Sequence, residues 1–424
     1  MSEVFERRMA AAVARILKGI SFQPNQPDTA LKSQFRVQDG PGPNWRSRWM
    51  SWWRSPDSEQ AMDTAGALIK SFHKLNGVSR RDCSEHVREV LYDLRHLNVV
   101  QWPEDGDAAP SGLWDRLKVD QRFLLANFIT EAVRRCTASV APSTLLIPIM
   151  PRLRGIVLRI PEAQANLIPK GELANEAASQ LCVGSGSEGQ ISESHLGQIE
   201  AIFKDCAHHY FGTSDQTGTQ EWCIEHGSSR IRSLLGTVAT VAHHEGFDLG
   251  LKVISPPPRE IGLLRREASG DILSCTARDS IFPYLGYEIQ IDDVFACKVQ
   301  HWYSRMRAHP NDMFERACKC AFFVNLGLCN RETSSFIYFF IALDALFGRK
   351  HSVGKSIIQG VERCAPLLAP RVARLYDLRN KLIHGGTVSV SQWQDRDDFE
   401  DEFGCAPDAA VREITLKCLF TFPD

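Results

Sequence analysis

The stretch Ser334-Ser-Phe-Ile-Tyr-Phe-Phe-Ile-Ala-Leu-Asp-Ala-Leu-Phe347 constrains the fold more than any other part of this chain. It is apolar on nearly every side, and a helix of that kind has to be surrounded by other elements. The stretch therefore predicts the central, buried helix of a helical bundle. Asp344 interrupts its surface. A buried carboxylate is costly unless it is paired and hydrogen-bonded, which predicts an ion pair with Arg379 of a neighbouring helix. The plainer alternative has Asp344 pointing along a partly wet helix end.

The second informative stretch is Leu375-Tyr-Asp-Leu-Arg-Asn-Lys-Leu-Ile-His-Gly-Gly386. Leu375, Leu378 and Leu382 fall at i, i+3 and i+7, an apolar stripe facing a core. Tyr376, Asn380 and His384 fall at i, i+4 and i+8 and line a polar stripe. Arg379 sits between the two. Gly385 and Gly386 supply the left-handed termination that helices favour. A fixed cation, an amide and a group titrating near neutrality thus share one helix end, a set suited to handling a phosphodiester. A capping histidine beside a structural arginine would produce the same spacing.

Together the two stretches resemble the HEPN superfamily, and most closely its Apea-like branch. The resemblance rests on Ala342-Leu-Asp-Ala-Leu-Phe347 ending an apolar helix, a short helix after it, and then Arg379-Asn-Lys-Leu-Ile-His384 within Tyr-x-x-Arg-Asn-x-x-x-His-Gly. It covers roughly the last third of the chain, from about Phe295. One departure is the aspartate at 344, where the branch more often carries glutamate. The resemblance implies a helical HEPN domain at 295–424 and a metal-independent endoribonuclease without cofactors. Arg379, Asn380 and His384 would be its catalytic residues, supported by Asp344 and Tyr376. It also implies a homodimer that brings two Arg/His sets into one cleft, and a place in bacterial defence against phage, with a phage-derived trigger or a regulatory protein as partner. Many HEPN domains are instead interaction modules, so a non-catalytic RNA-binding or regulatory adaptor is the rival reading.

With 424 residues, 43% of them hydrophobic, the chain can bury two or three cores. Its formal net charge of −2 excludes bulk basicity as a grip on nucleic acid. RNA contact therefore has to come from a local patch, for which Arg371, Arg374 and Lys381 are the candidates. The loop Arg349-Lys-His-Ser-Val-Gly-Lys355 adds further positive charge. The acidic segment Asp395-Arg-Asp-Asp-Phe-Glu-Asp-Glu402 would repel RNA, so it is expected either on the opposite face or as a shield of the site. The thirteen cysteines are odd in number and irregularly spaced, which fits reduced thiols better than a disulfide framework. The start lacks a signal-type apolar core, and no apolar run reaches spanning length. A cytoplasmic protein with no membrane partner is expected.

The expected fold class is mainly α with an α+β middle region and a C-terminal HEPN-type helical bundle. The expected domains are a helical region at 1–140, a mixed region at 141–294 and the helical domain at 295–424. In the first, helices are read at Phe5–Ile20, Ser58–Leu75, Ser79–Leu97 (capped by Ser79) and Ser111–Ala138, with a loop to about Pro43. Trp45, Trp49, Trp52 and Trp53 fall at i, i+4, i+7 and i+8, one face of a further helix with arginines off it. Such a face packs a core or a partner, or stacks bases.

In the middle region Leu145–Met150 and Gly155–Ile160 read as strands, their prolines suggesting edge or irregular pairing. Residues 183–190 read as a flexible linker. Helices are read at Ser192–Tyr210 and Thr219–His244, and short strands at Lys252–Ser255, Ile261–Arg266, Asp271–Thr276 and Gly286–Ile291. Cys206, His208 and His209, Cys223 with His226, His243 with His244, and Cys318 with Cys320 lack two matched ligand pairs, so no metal site is expected. The last region supplies five helices, near Asp312–Leu328, Glu332–Phe347, Gly354–Leu367, Pro370–His384 and Pro407–Phe420.

Overall fold

The computed structural model describes residues 3–21, 31–39, 46–93, 113–116, 121–149, 153–173, 210–247, 249, 259–265, 272–277 and 288–422. The fold is mainly α, with a mixed α+β region in the middle of the chain. Two compact units divide it. One holds Met1–Ala141 with Thr217–Cys223, and the other holds Pro142–Gln216 with Ile224–Asp424.

In the first unit, helices α1 (Glu3–Lys18), α2 (Pro56–His73), α3 (Arg80–Asp93) and α4 (Gln121–Ala138) share one core. Phe5, Met9, Ile16 and Leu17 of α1 meet Met62 and Ala65 of α2, Leu91 of α3 and Phe128 of α4. Fully burying a side chain of this size stabilises by roughly 1.5–3 kcal/mol. Local chemistry fixes the helix starts. Ser55 accepts from Ser58 N at 3.1 Å, with Pro56 in the first turn. Ser79 accepts from Asp82 N at 2.9 Å, and the Asp82 carboxylate accepts from Ser79 N at 3.3 Å, so the expected cap forms a reciprocal box.

This unit is not wholly helical. Strands β1 (Ile20–Ser21), β2 (Leu31–Asp39) and β3 (Arg46–Arg54) form a sheet in the order β1-β3-β2. The expected tryptophan-bearing helix is therefore a strand, in which Trp49 pairs with Arg36 and Trp53 with Lys32. The expected loop up to Pro43 contains β2. Trp45 lies outside the described residues. Tryptophan suits a pleated, half-buried surface, and a spacing of four residues satisfies strand alternation as well as a helical turn.

The second unit carries a six-stranded sheet in the order β10-β9-β4-β8-β7-β6. Its strands are β4 (Ala141–Ile149), β6 (Leu158–Ile160), β7 (Ala165–Pro169), β8 (Tyr210–Gly218), β9 (Arg259–Arg265) and β10 (Ile272–Ala277). A separate parallel pair joins β5 (Leu153–Gly155) to β11 (Ile289–Ile291). Of the edge or irregular pairing expected for the first strand, the edge placement does not hold. β4 lies between β9 and β8 and is buried continuously from Ser143 to Ile149. Pro148 is tolerated there because the ladder to β9 covers only Ser143–Leu146. Tyr210, expected at a helix end, begins β8. The linker at 183–190, the body of the helix before Tyr210 and the strand at 252–255 lie outside the described residues.

Helix α5 (Gln220–His244) lies between β8 and β9, and β11 is followed by α6 (Asp293–Arg307), α7 (Asn311–Cys329), α8 (Glu332–Phe347), α9 (Val353–Cys364), α10 (Ala369–Ile383), α11 (Arg396–Phe403) and α12 (Pro407–Thr421). The apolar stretch is α8, and it is the central helix. Phe336, Phe339, Leu343 and Leu346 are buried, and α7 and α12 pack against it. Close approach to α7 depends on Gly327, since a Cβ there would stand 2.9 Å from the Phe339 ring. Ser335 Oγ donates to Gly327 O at 2.7 Å and Thr415 Oγ1 to Phe339 O at 3.3 Å, which tie α8 to both neighbours. Among the described residues no helix is long and apolar enough to cross a membrane.

Candidate active site at the end of α10

Helix α10 is held by its apolar stripe: Val372, Leu375 and Leu378 are buried, and Leu382 is half-buried. The opposite end is wet. Tyr376, Arg379 and Asn380 are half-buried, and His384 is exposed. His384 is the C-cap residue, its N–H bonded to Asn380 O at 2.9 Å. Gly385 follows at φ 78°, a left-handed conformation that any Cβ would strain. Gly386 N then reaches Lys381 O at 2.7 Å, completing the termination that the two glycines predict.

Arg379 Nη1 donates to Asn380 Oδ1 at 3.1 Å, and its guanidinium lies 5.9 Å from the centre of the Tyr376 ring. Tyr376 in turn faces Phe340 of α8, with ring centres 6.2 Å apart. Gly354 of α9 leaves room for the same ring, since a Cβ there would come within 2.8 Å of it. The tyrosine thus joins the polar end of α10 to α8 and to the start of α9.

The expected Asp344–Arg379 ion pair does not form. Asp344 is half-exposed, and among the described residues its carboxylate has no cationic partner. Water satisfies a carboxylate at that depth without a guanidinium. The arginine that meets this helix end is Arg316 of α7. Its Nε donates to Ala345 O at 3.2 Å and its Nη2 to Gly348 O at 2.6 Å, placing a cation on the carbonyl end of α8. No spacing in the sequence pairs Arg316 with that end.

The expected patch of Arg371, Arg374 and Lys381 is neutralised. Arg371 bonds Glu413 at 2.8 Å, Arg374 bonds Glu402, and Lys381 stands 3.0 Å from both Asp377 and Asp395. Lys381 is pushed up by its bonds to Asp377 and Asp395, and the bond to Lys381 holds Asp395 below the usual carboxylate range. The acidic segment 395–402 therefore lies against α10 as a shield, not on the opposite face. Much of it is helix α11, stabilised by the Arg396–Glu400 pair at 2.7 Å and ended by Gly404 at φ 67°. Of the four basic residues of α10, Arg379 alone has no carboxylate partner among the described residues. The exposed cations of the 349–355 loop, Arg349, Lys350 and Lys355, are likewise unpaired among the described residues.

The cysteines and histidines form no group of three or more arranged to hold a metal among the described residues. Cys206, His208 and His209 lie outside them. Burial pushes the Cys318 thiol up to about 11, and that of Cys320 up further, so both are held as thiols. Comparison of the chain with protein-family models, with curated proteins and with solved structures finds no match.

Proposed function

We propose that this chain is a metal-independent endoribonuclease that works at the end of α10. One observation carries the reading. Arg379 is left without a carboxylate beside an exposed His384, while the other three basic residues of the same helix are tied to acids. In the proposed reaction the ribose 2′-oxygen attacks the adjacent phosphorus as the bond from phosphorus to the 5′-oxygen breaks. One proton leaves the 2′-hydroxyl and another is delivered to the departing 5′-oxygen. His384 is one of the two proton-transfer groups. Arg379 neutralises charge on the phosphorane oxygens through paired N–H donors. Asn380 holds the guanidinium in place, the role that sequence reading gave to Asp344. Lys355 at the start of α9 replaces the neutralised patch as a phosphate contact.

A single imidazole serves one proton transfer, so the reading includes a homodimer whose second copy supplies the other. Cleavage of this kind would stop an infected cell, in keeping with the defence role that the resemblance implies. RNA and its fully 2′-O-methylated counterpart test the chemistry. The first should be cut and the second should not, and cleavage of both at one rate would overturn 2′-hydroxyl attack. The neutralised patch favours the regulatory-adaptor form of the rival reading, because cations already paired with carboxylates displace few counterions from RNA. Stoichiometric RNA binding without turnover would favour the RNA-binding form.

A further inference from the structure

A cavity of about 570 Å³ lies between the end of α8 and the helix α9. Its volume falls in the range of sites for small molecules. Arg316, Arg349 and Arg363 line it against one carboxylate, Glu362. Neither Arg349, Arg363 nor Glu362 is in an ion pair among the described residues, so the guanidinium charge is uncompensated. Arg316 spends Nε and Nη2 on the carbonyls of Ala345 and Gly348 and keeps Nη1 without a partner among the described residues. Phe347 and Phe422, with ring centres 5.9 Å apart, line it as well, beside Met313, Leu346, Ser356 and Gln359.

Three guanidiniums against one carboxylate leave an excess of positive charge facing the hollow, which attracts an anion. Guanidiniums fork onto phosphate oxygens more readily than other side chains do. The cavity is far larger than one phosphate, and Phe347, Phe422, Leu346 and Met313 give it an apolar side. We infer that it binds a phosphorylated small molecule of mononucleotide size, with the phosphate toward Arg349 and Arg363 and the ring system against Phe347 and Phe422. This site shares no group with the proposed catalytic set of Arg379, Asn380 and His384, and it shares only Arg349 with the basic loop 349–355.

Isothermal titration of the full chain with adenosine 5′-monophosphate, ribose 5-phosphate and inorganic phosphate tests it. The nucleotide should bind saturably and more tightly than either smaller anion. Arg363→Gln should weaken nucleotide binding by about tenfold or more, the size expected for a lost charge-assisted contact. Glu362→Gln should tighten it, a gain that no folding defect would produce. His384→Ala should leave it unchanged. Absence of saturable binding at millimolar nucleotide would overturn the site. So would equal affinity for nucleotide and inorganic phosphate, an Arg363→Gln variant that binds like the parent, or loss of binding in His384→Ala.

Discussion

Replacing His384 by alanine separates chemistry from structure because the imidazole is exposed and forms no hydrogen bond among the described residues. The cap itself is backbone: His384 N bonds Asn380 O at 2.9 Å, and alanine keeps that bond. Surface changes away from caps and networks usually move stability by no more than about 0.5 kcal/mol. In a unit of this size that corresponds to about 2 °C or less in melting temperature. A positioned proton-transfer group contributes roughly 10²–10⁴-fold in rate, or about 2.7–5.5 kcal/mol at 1.36 kcal/mol per decade. The expected loss of rate is thus several times larger in free energy than the expected loss of stability. The assay is the initial rate on a fluorescent RNA, with a thermal melt of the same preparation. A variant that cuts at the parental rate refutes the role of His384. A variant that is inactive but melts about 10 °C lower refutes the premise that the imidazole has no structural task.

Three further outcomes follow from the same geometry. Arg379→Lys should lower the rate about tenfold or more with little change in melting temperature, because an ammonium replaces a fork by a point charge; full activity in this variant would remove the paired-donor role. Glu402→Gln together with Asp395→Asn should release Arg374, leave Lys381 to Asp377 alone, tighten RNA binding and steepen its salt dependence; unchanged affinity and slope would show that α11 does not shield this face. Light scattering at assay concentration should give twice the chain mass, and a strictly monomeric protein that cuts at full rate would defeat the shared-site scheme.

The C-terminal helices were legible because their periodicity agrees with their packing. The apolar stretch 334–347 and the helix 407–421 fold where their hydrophobic pattern places them, and Leu375 and Leu378 face the core as their spacing requires. The N-terminal sheet was not legible, since the spacing of Trp49 and Trp53 fits a helical turn and strand alternation alike. Charge pairing was the least legible property. Glu413, Glu402 and Asp395 reach Arg371, Arg374 and Lys381 from 42, 28 and 14 residues away, and no local rule selects such partners. The same holds for Arg316, which took the helix end that the sequence assigned to Arg379.

The central claim is that this chain cuts RNA with its own side chains, and the direct measurement is incubation of purified full-length protein with total RNA in excess chelator, followed by analysis of the fragment ends. The account predicts fragments carrying 2′,3′-cyclic phosphate and free 5′-hydroxyl ends, formed at the same rate with and without chelator. RNA that stays intact, or cleavage that chelator abolishes, would contradict it.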